Sequence, residues 1–372
     1  MGDEPYFVTL DEALDICKKT SLKNSVDIVH LDNAHNRILA EDLPSLVDDP
    51  PFDNSAMDGF AMRHKDTLNP PTDLKIIGTI QASSDQENIT VNQGEAVRIM
   101  TGAPIPLGAD SILQVELTSC SGETLTISQE SMPGYVRKKG ENIRKGDIIL
   151  LKGTVLTPSN ISMVATMGYD KIPVFSKLVI GIIPTGNELK QPGEDLKPGE
   201  IYESNAYGIS GLVKWLGHIP KRYDLVEDTM KRTRESLDRA SEECDLIITS
   251  GGVSMGDWDL IRKIMEEEGD IHFWRIKLRP GSPPLFGKWK DTPIVGLPGN
   301  PVSSHVVFRM LVGPWIRNLT HSTSPAENKA FATLATTVKP SKDFLTLRRV
   351  KVESTDNELK AYQENHQGSG NI

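Results

Sequence analysis

The sequence predicts an α/β multidomain protein that combines four parts: a mostly parallel sheet domain with helices on both faces, an inserted mostly-β domain, a split α+β domain and a C-terminal β domain. From about residue 177 to 319, apolar runs alternate with helical patterns. Short β-like runs between turn residues fill the region from 51 to 137, and such runs return after about residue 325. Strand–helix alternation is typical of a parallel sheet covered by helices.

We expect domain boundaries where these patterns change, and the first change follows a proline-rich segment at Pro44, Pro50 and Pro51. The order of the segments suggests that the β region interrupts an α+β domain. The expected division is a split α+β linker domain (1–50 and 138–176), an inserted mostly-β domain (51–137), an α/β domain (177–324) and a C-terminal β domain, expected to be incomplete (325–372).

The elements follow from local signals. Thr9 and Glu12 have the spacing of a capping box at the start of a helix. Pro158 is expected to open a second helix that ends at Gly168. Beyond residue 177 the apolar runs LVIGII, DLIITS, FWRIKL and PIVGL predict strands. Helical patterns between and after them cover residues 205–216, 229–243, 257–268 and 301–317, with Gly217 as a C′ residue and Asn300 as an N-cap.

Composition excludes several classes of protein. The 372 residues include 41 Lys and Arg against 51 Asp and Glu, a formal net charge of −10, which argues against nucleic-acid binding through bulk electrostatics. No run of 18 apolar residues predicts a membrane span, and the N-terminus shows no signal peptide. Three widely spaced cysteines favour neither a disulfide framework nor a zinc site, so we expect a cytoplasmic protein.

Two strand-to-helix turns carry candidate chemistry, because ligands bind at the carboxyl ends of parallel strands. In the first, 185–188, the Glu188 carboxylate could hold a cation or a hydroxyl group, and a plain turn is an equal alternative. The second, 250–257, is rich in glycine and opens a helix, which favours an anion. Asp257 and Asp259 suit a magnesium ion bridging to phosphate, and the alternative is that they merely complement the helix dipole.

Two further segments are candidates for anion contact. If residues 272–279 form one strand, alternation places Arg275, Lys277 and Arg279 on one face, where an anion or solvent would be a natural partner. Ser303, in the turn 296–303, could donate to an oxyanion or satisfy the first helical turn. The loop 51–60 and the segment 98–104 of the β insertion are by themselves best interpreted as turn chemistry.

Five motifs occur together and in this order: PPFDNSAMDGFAMR, RIMTGAPIPLGAD, PTGNEL, TSGGVSMGD and GLPGNPVS. With them the chain, from about Thr9 to Ser369, resembles the molybdopterin molybdenumtransferase family, which includes the bacterial MoeA proteins and the E domain of gephyrin. The resemblance implies insertion of molybdate into adenylylated molybdopterin (molybdopterin-AMP), with release of AMP and help from Mg²⁺ or another divalent cation. It also implies a homodimer, with the upstream molybdopterin adenylyltransferase as a further partner.

The resemblance also implies roles for residues that match the motifs. Residues implied in catalysis are Asp58, Thr101, Glu188, Asp228 and Asp259, with Glu188 and Asp259 as metal ligands and Asp58 and Thr101 completing the cleft of the partner subunit. Residues implied in binding substrate or oxyanion are Arg137, Ser303 and Ser369. The glycine-rich turn and the cationic segment add further candidates for the same contact, independently of the resemblance: Ser250, Gly251, Gly252, Ser254, Arg275, Lys277 and Arg279.

The chain departs from the family pattern at the cationic segment, where the family usually reads W-K-x-x-x-K-P-G-K-P. Arg275, Arg279 and Ser282 replace the three lysines, and Lys277 is a candidate to restore the third charge. An arginine offers a planar fork where lysine offers a point charge. In the last domain the family commonly has an Arg near residues 343–346, and the nearest here are Arg348 and Arg349, without an assigned role. A non-catalytic molybdopterin-binding carrier and a gephyrin-like scaffold are the alternative functions.

Overall fold

A computed structural model describes residues 7–82, 89–253, 259–322, 329–339, 341–355, 358–364 and 367–368. The chain divides into two compact units. The first comprises Met1–Glu41, Lys152–Thr157 and Ile172–Ile372, and the second comprises Asp42–Leu151 and Pro158–Lys171. The finer division into four domains stays a prediction.

The first unit is built on a six-stranded sheet that is mostly parallel, as the sequence predicts. Four neighbouring strands are parallel, in the order Ile219–Arg222, Val179–Pro184, Leu246–Ser250 and Thr292–Leu297. Two antiparallel strands, Leu285–Trp289 and Asp270–Trp274, complete the sheet. The parallel strands therefore bring their carboxyl ends, and the turns that follow them, to one edge of the sheet.

Helices cover both faces of this sheet, which confirms the predicted architecture. Ile182 and its neighbours on one face join a core with Ile209 and Trp315, whereas Ile183 on the other face packs in a core with Leu237 and Ile261. Alternate side chains of a strand point to opposite faces, so strands buried on both sides are apolar throughout. The helices are Leu10–Lys19, Asn205–Trp215, Pro301–Val307 and Gly313–Leu319 on the first face, and Met230–Glu243 and Leu260–Glu268 on the second.

The helix boundaries follow the predicted signals. Thr9 caps the first helix in a complete capping box with Glu12, an arrangement that contributes about 1 kcal/mol of stability. Gly217, with φ of 85°, follows the helix Asn205–Trp215 as expected. Asn300 occupies the N-cap position before Pro301 but makes no side-chain capping hydrogen bond. The long helical pattern after Pro301 includes a π-helical turn at Phe308–Val312.

The second unit contains the predicted β insertion as a six-stranded sheet. Phe60 and Met62 belong to the core on one face, and Ala61 to the core on the other. The strand order is Ser111–Gln114, Gly59–Met62, Glu95–Ile99, Thr72–Ile80, Thr124–Ile127 and Thr118–Ser121. Two short pairs, Leu43–Pro44 with Ile148–Leu150 and Asn54–Ser55 with Val136–Arg137, and the helix Pro158–Thr166 complete this unit.

Short strands complete the first unit. The pairs are Val26–His30 with Lys171–Phe175, Leu189–Lys190 with Ile201–Tyr202, and Leu278–Arg279 with Leu345–Thr346. The C-terminal β region is a three-stranded sheet of Thr333–Leu334, Glu358–Gln363 and Val350–Thr355.

Short 3₁₀ turns lie at Leu31–Asn33, His64–Thr67, Val115–Leu117 and Pro133–Tyr135. No helix in the described part of the chain is long and apolar enough to cross a membrane.

The prediction of one cationic strand over residues 272–279 is wrong. The strand Asp270–Trp274 ends before Arg275, whose φ of 81° is incompatible with an extended strand, and pairing resumes only at Leu278. Residues from the N-terminal segment occupy the gap: the Val8 amide donates to the Arg275 carbonyl, and the Val8 carbonyl accepts from Lys277. The three cations therefore do not share the face of one strand.

Candidate functional site

A cleft of about 630 Å³ lies at the carboxyl edge of the parallel strands. We call it the carboxylate cleft, because its walls carry Glu188, Glu203, Asp228 and Asp259. Of the residues singled out in the sequence it brings together Glu188, Asp228, Asp259, Ser250, Gly251 and Gly252. Four acids in one cleft repel one another, so a cation or a hydrogen-bond donor is the natural ligand.

The position of Glu188 depends on Gly186. A Cβ atom at residue 186 would lie 2.7 and 2.8 Å from the two carboxylate oxygens of Glu188. The φ of Gly186 is 148°, which L-amino acids with a side chain rarely adopt. Only glycine therefore allows the Glu188 carboxylate to fold back over the turn.

Asp228 is tied to the same turn. Its Oδ2 accepts the Asn187 amide hydrogen at 3.1 Å, and its own amide donates to Asn187 Oδ1 at 3.0 Å. Burial raises the pKa of the Asp228 carboxyl, and the negative charges of Glu188 and Asp259 raise it further, against the hydrogen bond from Asn187. Burial first, and the neighbouring carboxylates second, thus disfavour the charged form of Asp228.

The glycine-rich turn packs closely on Thr185. A Cβ at Gly251 would lie 2.9 Å from the Thr185 carbonyl oxygen, and a Cβ at Gly252 would lie 3.0 Å from Ile261 Cγ1. The Gly251 amide donates to the Leu297 carbonyl at 3.0 Å. That amide hydrogen is bound within the protein and is not available to an anion. The predicted anion contact of this turn therefore does not involve the Gly251 amide. Ser254, Asp257 and the rest of 254–258 lie outside the described residues.

Two residues of the carboxylate cleft were not singled out in the sequence. Asn205 Nδ2 donates to Ser250 Oγ at 2.8 Å and to the Gly299 carbonyl at 2.7 Å, and so ties two strand-end turns to one helix. Glu203 is only 3% exposed, and its carboxylate accepts the Ala206 amide hydrogen at 2.6 Å. Burial raises the Glu203 pKa. Glu203 lies just before the predicted helix 205–216 and Asn205 is its first residue; this position was the available signal, since helix starts collect capping residues.

A second cavity, of about 410 Å³, has the opposite charge. We call it the arginine cavity, because Arg279, Arg348 and Arg349 line it together with Ser341, Thr346 and Gln367. None of its described lining residues is acidic. Arg348 and Arg349 had no assigned role in the sequence, and only the fold shows that they face the same space as Arg279.

The remaining candidates of the first unit line neither cavity within the described residues. The Arg275 guanidinium lies 5.1 Å from the Phe7 ring centroid. Lys277 lies near Glu12, whose pKa is lowered mainly by its hydrogen bonds to Thr9 and slightly by the charge of Lys277. Ser303 is 4% exposed in the helix Pro301–Val307. Ser369 lies outside the described residues.

In the second unit, Asp58 and Thr101 form a pair. Asp58 Oδ1 accepts both the Thr101 hydroxyl and the Thr101 amide hydrogen, each at 2.6 Å. These hydrogen bonds hold the pKa of the Asp58 carboxyl below its usual range, and the bond from the Thr101 hydroxyl has the larger effect. Arg137 Nε donates to Asn54 Oδ1 at 3.0 Å. Asp58 and Thr101 are both exposed, so the pair is accessible from solvent.

The carboxylate cleft fits a divalent cation that also needs ligands from a substrate. The described residues contain no group of three or more His, Cys, Asp or Glu side chains arranged to hold a metal ion by themselves. Mg²⁺ typically takes one or two carboxylates and completes its octahedron with water and substrate phosphates. Glu188 and Asp259 line the cleft and supply that kind of oxygen ligand.

Comparisons with known proteins agree with this fold. Residues 8–168 match the MoeA N-terminal region (domain I and II), and residues 181–318 match a probable molybdopterin binding domain. The molybdopterin molybdenumtransferase of Haemophilus influenzae is 36% identical over 332 residues, 88% of this chain and 82% of the relative. That of Bacillus subtilis is 33% identical over 364 residues, 95% and 84% of the two chains.

A solved structure shows the same architecture. The MoeA protein of Pyrococcus horikoshii OT3 superposes with a TM-score of 0.82 at 28% identity, covering 98% of this chain and 92% of that one. The agreement of family models, relatives and fold confirms the resemblance drawn from the five motifs. The chain therefore belongs to the molybdopterin molybdenumtransferase family, the MoeA proteins of molybdenum cofactor biosynthesis.

Proposed function

We propose that this chain inserts molybdate into adenylylated molybdopterin and releases AMP, with the carboxylate cleft acting on the phosphates and the arginine cavity holding the oxyanion. The observation that carries the proposal is that two cavities of opposite charge share one helix. Pro301 of the helix Pro301–Val307 lines the carboxylate cleft, and Val302 and Val306 line the arginine cavity. The reaction brings together a substrate that carries a pyrophosphate and a separate molybdate ion. Two neighbouring sites of different charge can hold these two ligands.

In the carboxylate cleft, Glu188 and Asp259 would hold Mg²⁺ or another divalent cation. When bound, such a cation supplies Lewis-acid polarisation of the pyrophosphate and neutralises charge on the departing AMP. Ser250 Oγ accepts from Asn205, so its own hydroxyl hydrogen can donate to the substrate.

In the arginine cavity, guanidinium groups would bind the tetrahedral dianion. A planar guanidinium offers two parallel N–H donors to an oxyanion. None of the described acids forms an ion pair with Arg279 or Arg348, so their charges are available to a ligand. The family motifs keep Ser303 and Ser369 as further candidates for substrate contact, and the charge of the cationic segment keeps Arg275 and Lys277. We expect Lys277→Ala to weaken molybdate use more than binding of the AMP moiety, and equal losses would exclude that role.

The proposal includes a homodimer in which Asp58 and Thr101 complete the cleft of the partner subunit, with Arg137 on the same β insertion. The exposure of the Asp58–Thr101 pair supports a role at a shared cleft. Mixing an Asp58→Ala variant with a Glu188→Gln variant should restore part of the AMP release, because mixed dimers contain one intact cleft. No recovery in verified mixed dimers would exclude the shared site. We also propose the upstream molybdopterin adenylyltransferase as a partner and the cytoplasm as the location. The three cysteines are unpaired, as is usual in a reducing compartment.

The decisive experiment is single-turnover release of AMP from adenylylated molybdopterin with Mg²⁺, with and without molybdate. We expect molybdate-dependent release in the wild type and its loss in Glu188→Gln. Glu242→Gln, an exposed acid on the helix Met230–Glu243, is the matched control and should behave as the wild type. Tight pterin binding without AMP release would instead support a non-catalytic carrier or a scaffold.

A further inference from the structure

Two arginines and two phenylalanines alternate beside the arginine cavity. The Arg275 guanidinium lies over the Phe7 ring, 5.1 Å from its centroid. The rings of Phe7 and Phe344 meet edge to face, with centroids 5.6 Å apart and planes inclined at 64°. The Arg279 guanidinium lies over the Phe344 ring, 4.1 Å from its centroid. These are the two arginines at which the chain departs from the family's lysines.

Backbone hydrogen bonds fix the three chain segments that supply this stack. The Lys277 amide donates to the Val8 carbonyl at 2.8 Å, which places Phe7 beside Arg275. On the other side, the Leu345 amide donates to the Lys277 carbonyl at 2.9 Å. Phe344 is therefore held next to Arg279 by main-chain geometry, independently of any attraction between the side chains.

The stack leaves one edge of Arg279 directed at the cavity. Its face is covered by the Phe344 ring, and its Nη1 lies 3.4 Å from Ser341 Oγ, which lines the same cavity. Arginine loses much conformational freedom when it is fixed, and a ring that covers its face reduces that loss before a ligand arrives. A cation over an aromatic face is also favourable in itself.

We propose that Phe344 is a positioning residue that holds the Arg279 guanidinium edge-on to the arginine cavity, so that its N–H groups meet a tetrahedral oxyanion. Phe7 supports Phe344 and orients Arg275 in the same way. This inference rests on the proposed function, because it takes the arginine cavity to be the oxyanion site. It also gives a physical reason why arginine stands where the family has lysine, since a planar group stacks on a ring with its donors in a fixed plane.

The test is a double-mutant cycle read by calorimetric titration with sodium molybdate, in the full chain. We expect Phe344→Leu to weaken molybdate binding about three- to ten-fold, the range that a cation–π contact supports. Phe344→Tyr should keep the affinity within about two-fold, because the ring face remains. Phe331→Leu is the matched control, because Phe331 is fully exposed in the same C-terminal region, and it should leave binding unchanged.

The cycle is closed in the Arg279→Ala background. If Phe344 acts through Arg279, Phe344→Leu has little further effect there, because coupled residues are not additive. An equal loss in both backgrounds would overturn the inference and show that Phe344 only stabilises the fold. If Arg279→Ala weakens binding but Phe344→Leu does not, the inference fails while the oxyanion site stands. Binding that is absent in the wild type, or unchanged in both Arg279→Ala and Arg348→Ala, would overturn the oxyanion site and the inference together.

Discussion

Asn187 and Asp228 exchange two hydrogen bonds, at 3.1 and 3.0 Å, and so join the turn that carries Glu188 to the segment that carries Asp228. The two residues come from segments that follow different strands. Their reciprocal contact holds two carboxylates in one cleft although the charges repel each other. The close carboxylates that suit a cation therefore lower the stability of the protein when no cation is bound.

We expect Asp228→Asn to raise the melting temperature at pH 7.5 by about 1–3 °C in metal-free buffer. Folding raises the pKa of Asp228 above its ordinary value of 3.8. The contribution of Asp228 to stability is thus fully present below that value and is lost as the pH rises through the folded-state pKa. Asparagine removes the charge but still accepts the hydrogen bond from Asn187.

Differential scanning calorimetry at pH 3.5 and pH 7.5 checks this sign. The gain should shrink at the acid pH, and added Mg²⁺ should stabilise the wild type more than the variant. Asp224→Asn, an exposed acid four residues earlier, is the control and should change little. A variant less stable than the wild type at pH 7.5 would contradict the predicted repulsion.

We expect Gly186→Ala to abolish most AMP release, because its methyl group would lie within 2.8 Å of both Glu188 carboxylate oxygens and displace them. Gly193→Ala is a matched control. Its φ of 97° carries the same kind of backbone strain, but a Cβ there meets no atom within 4 Å. Both variants should lose about 1 kcal/mol of stability, and only Gly186→Ala should lose activity. Comparable activity in the two variants would show that the position of Glu188 is not critical.

We expect Thr9→Ala to lower the free energy of unfolding by about 1 kcal/mol, because it removes the capping box of the helix Leu10–Lys19. Urea unfolding followed by far-UV circular dichroism measures the change. Ser21→Ala, at an exposed position just beyond the same helix, is the control. Since Val8 next to the cap bonds to Arg275 and Lys277, Thr9→Ala should also weaken molybdate binding slightly. A stability equal to that of the control would exclude a contribution from the cap.

Local signals predicted the parallel sheet, its covering helices and the position of Glu188 and Asp259 at the strand ends, because strand ends of a parallel sheet meet at one edge. Asp228 was a candidate only through the family resemblance, and the structure places it in the same cleft. They failed at Arg275, where the apolar alternation of FWRIKL continues but Val8, from a distant segment, takes over the pairing. The arginine cavity could not be predicted from spacing either, because Arg279 and Arg348 meet only through tertiary structure. Local patterns do not encode contacts between distant segments.

The helix Pro301–Val307 supplies a wall to both cavities, so the two binding events proposed above would be thermodynamically linked wherever one ligand displaces the helix. A ligand that displaces this helix from one side changes the free energy of occupancy on the other side. Linkage then requires reciprocity: the factor by which molybdate changes the affinity for the nucleotide equals the factor by which the nucleotide changes the affinity for molybdate. A titration of either ligand in the presence of the other therefore measures the same coupling free energy.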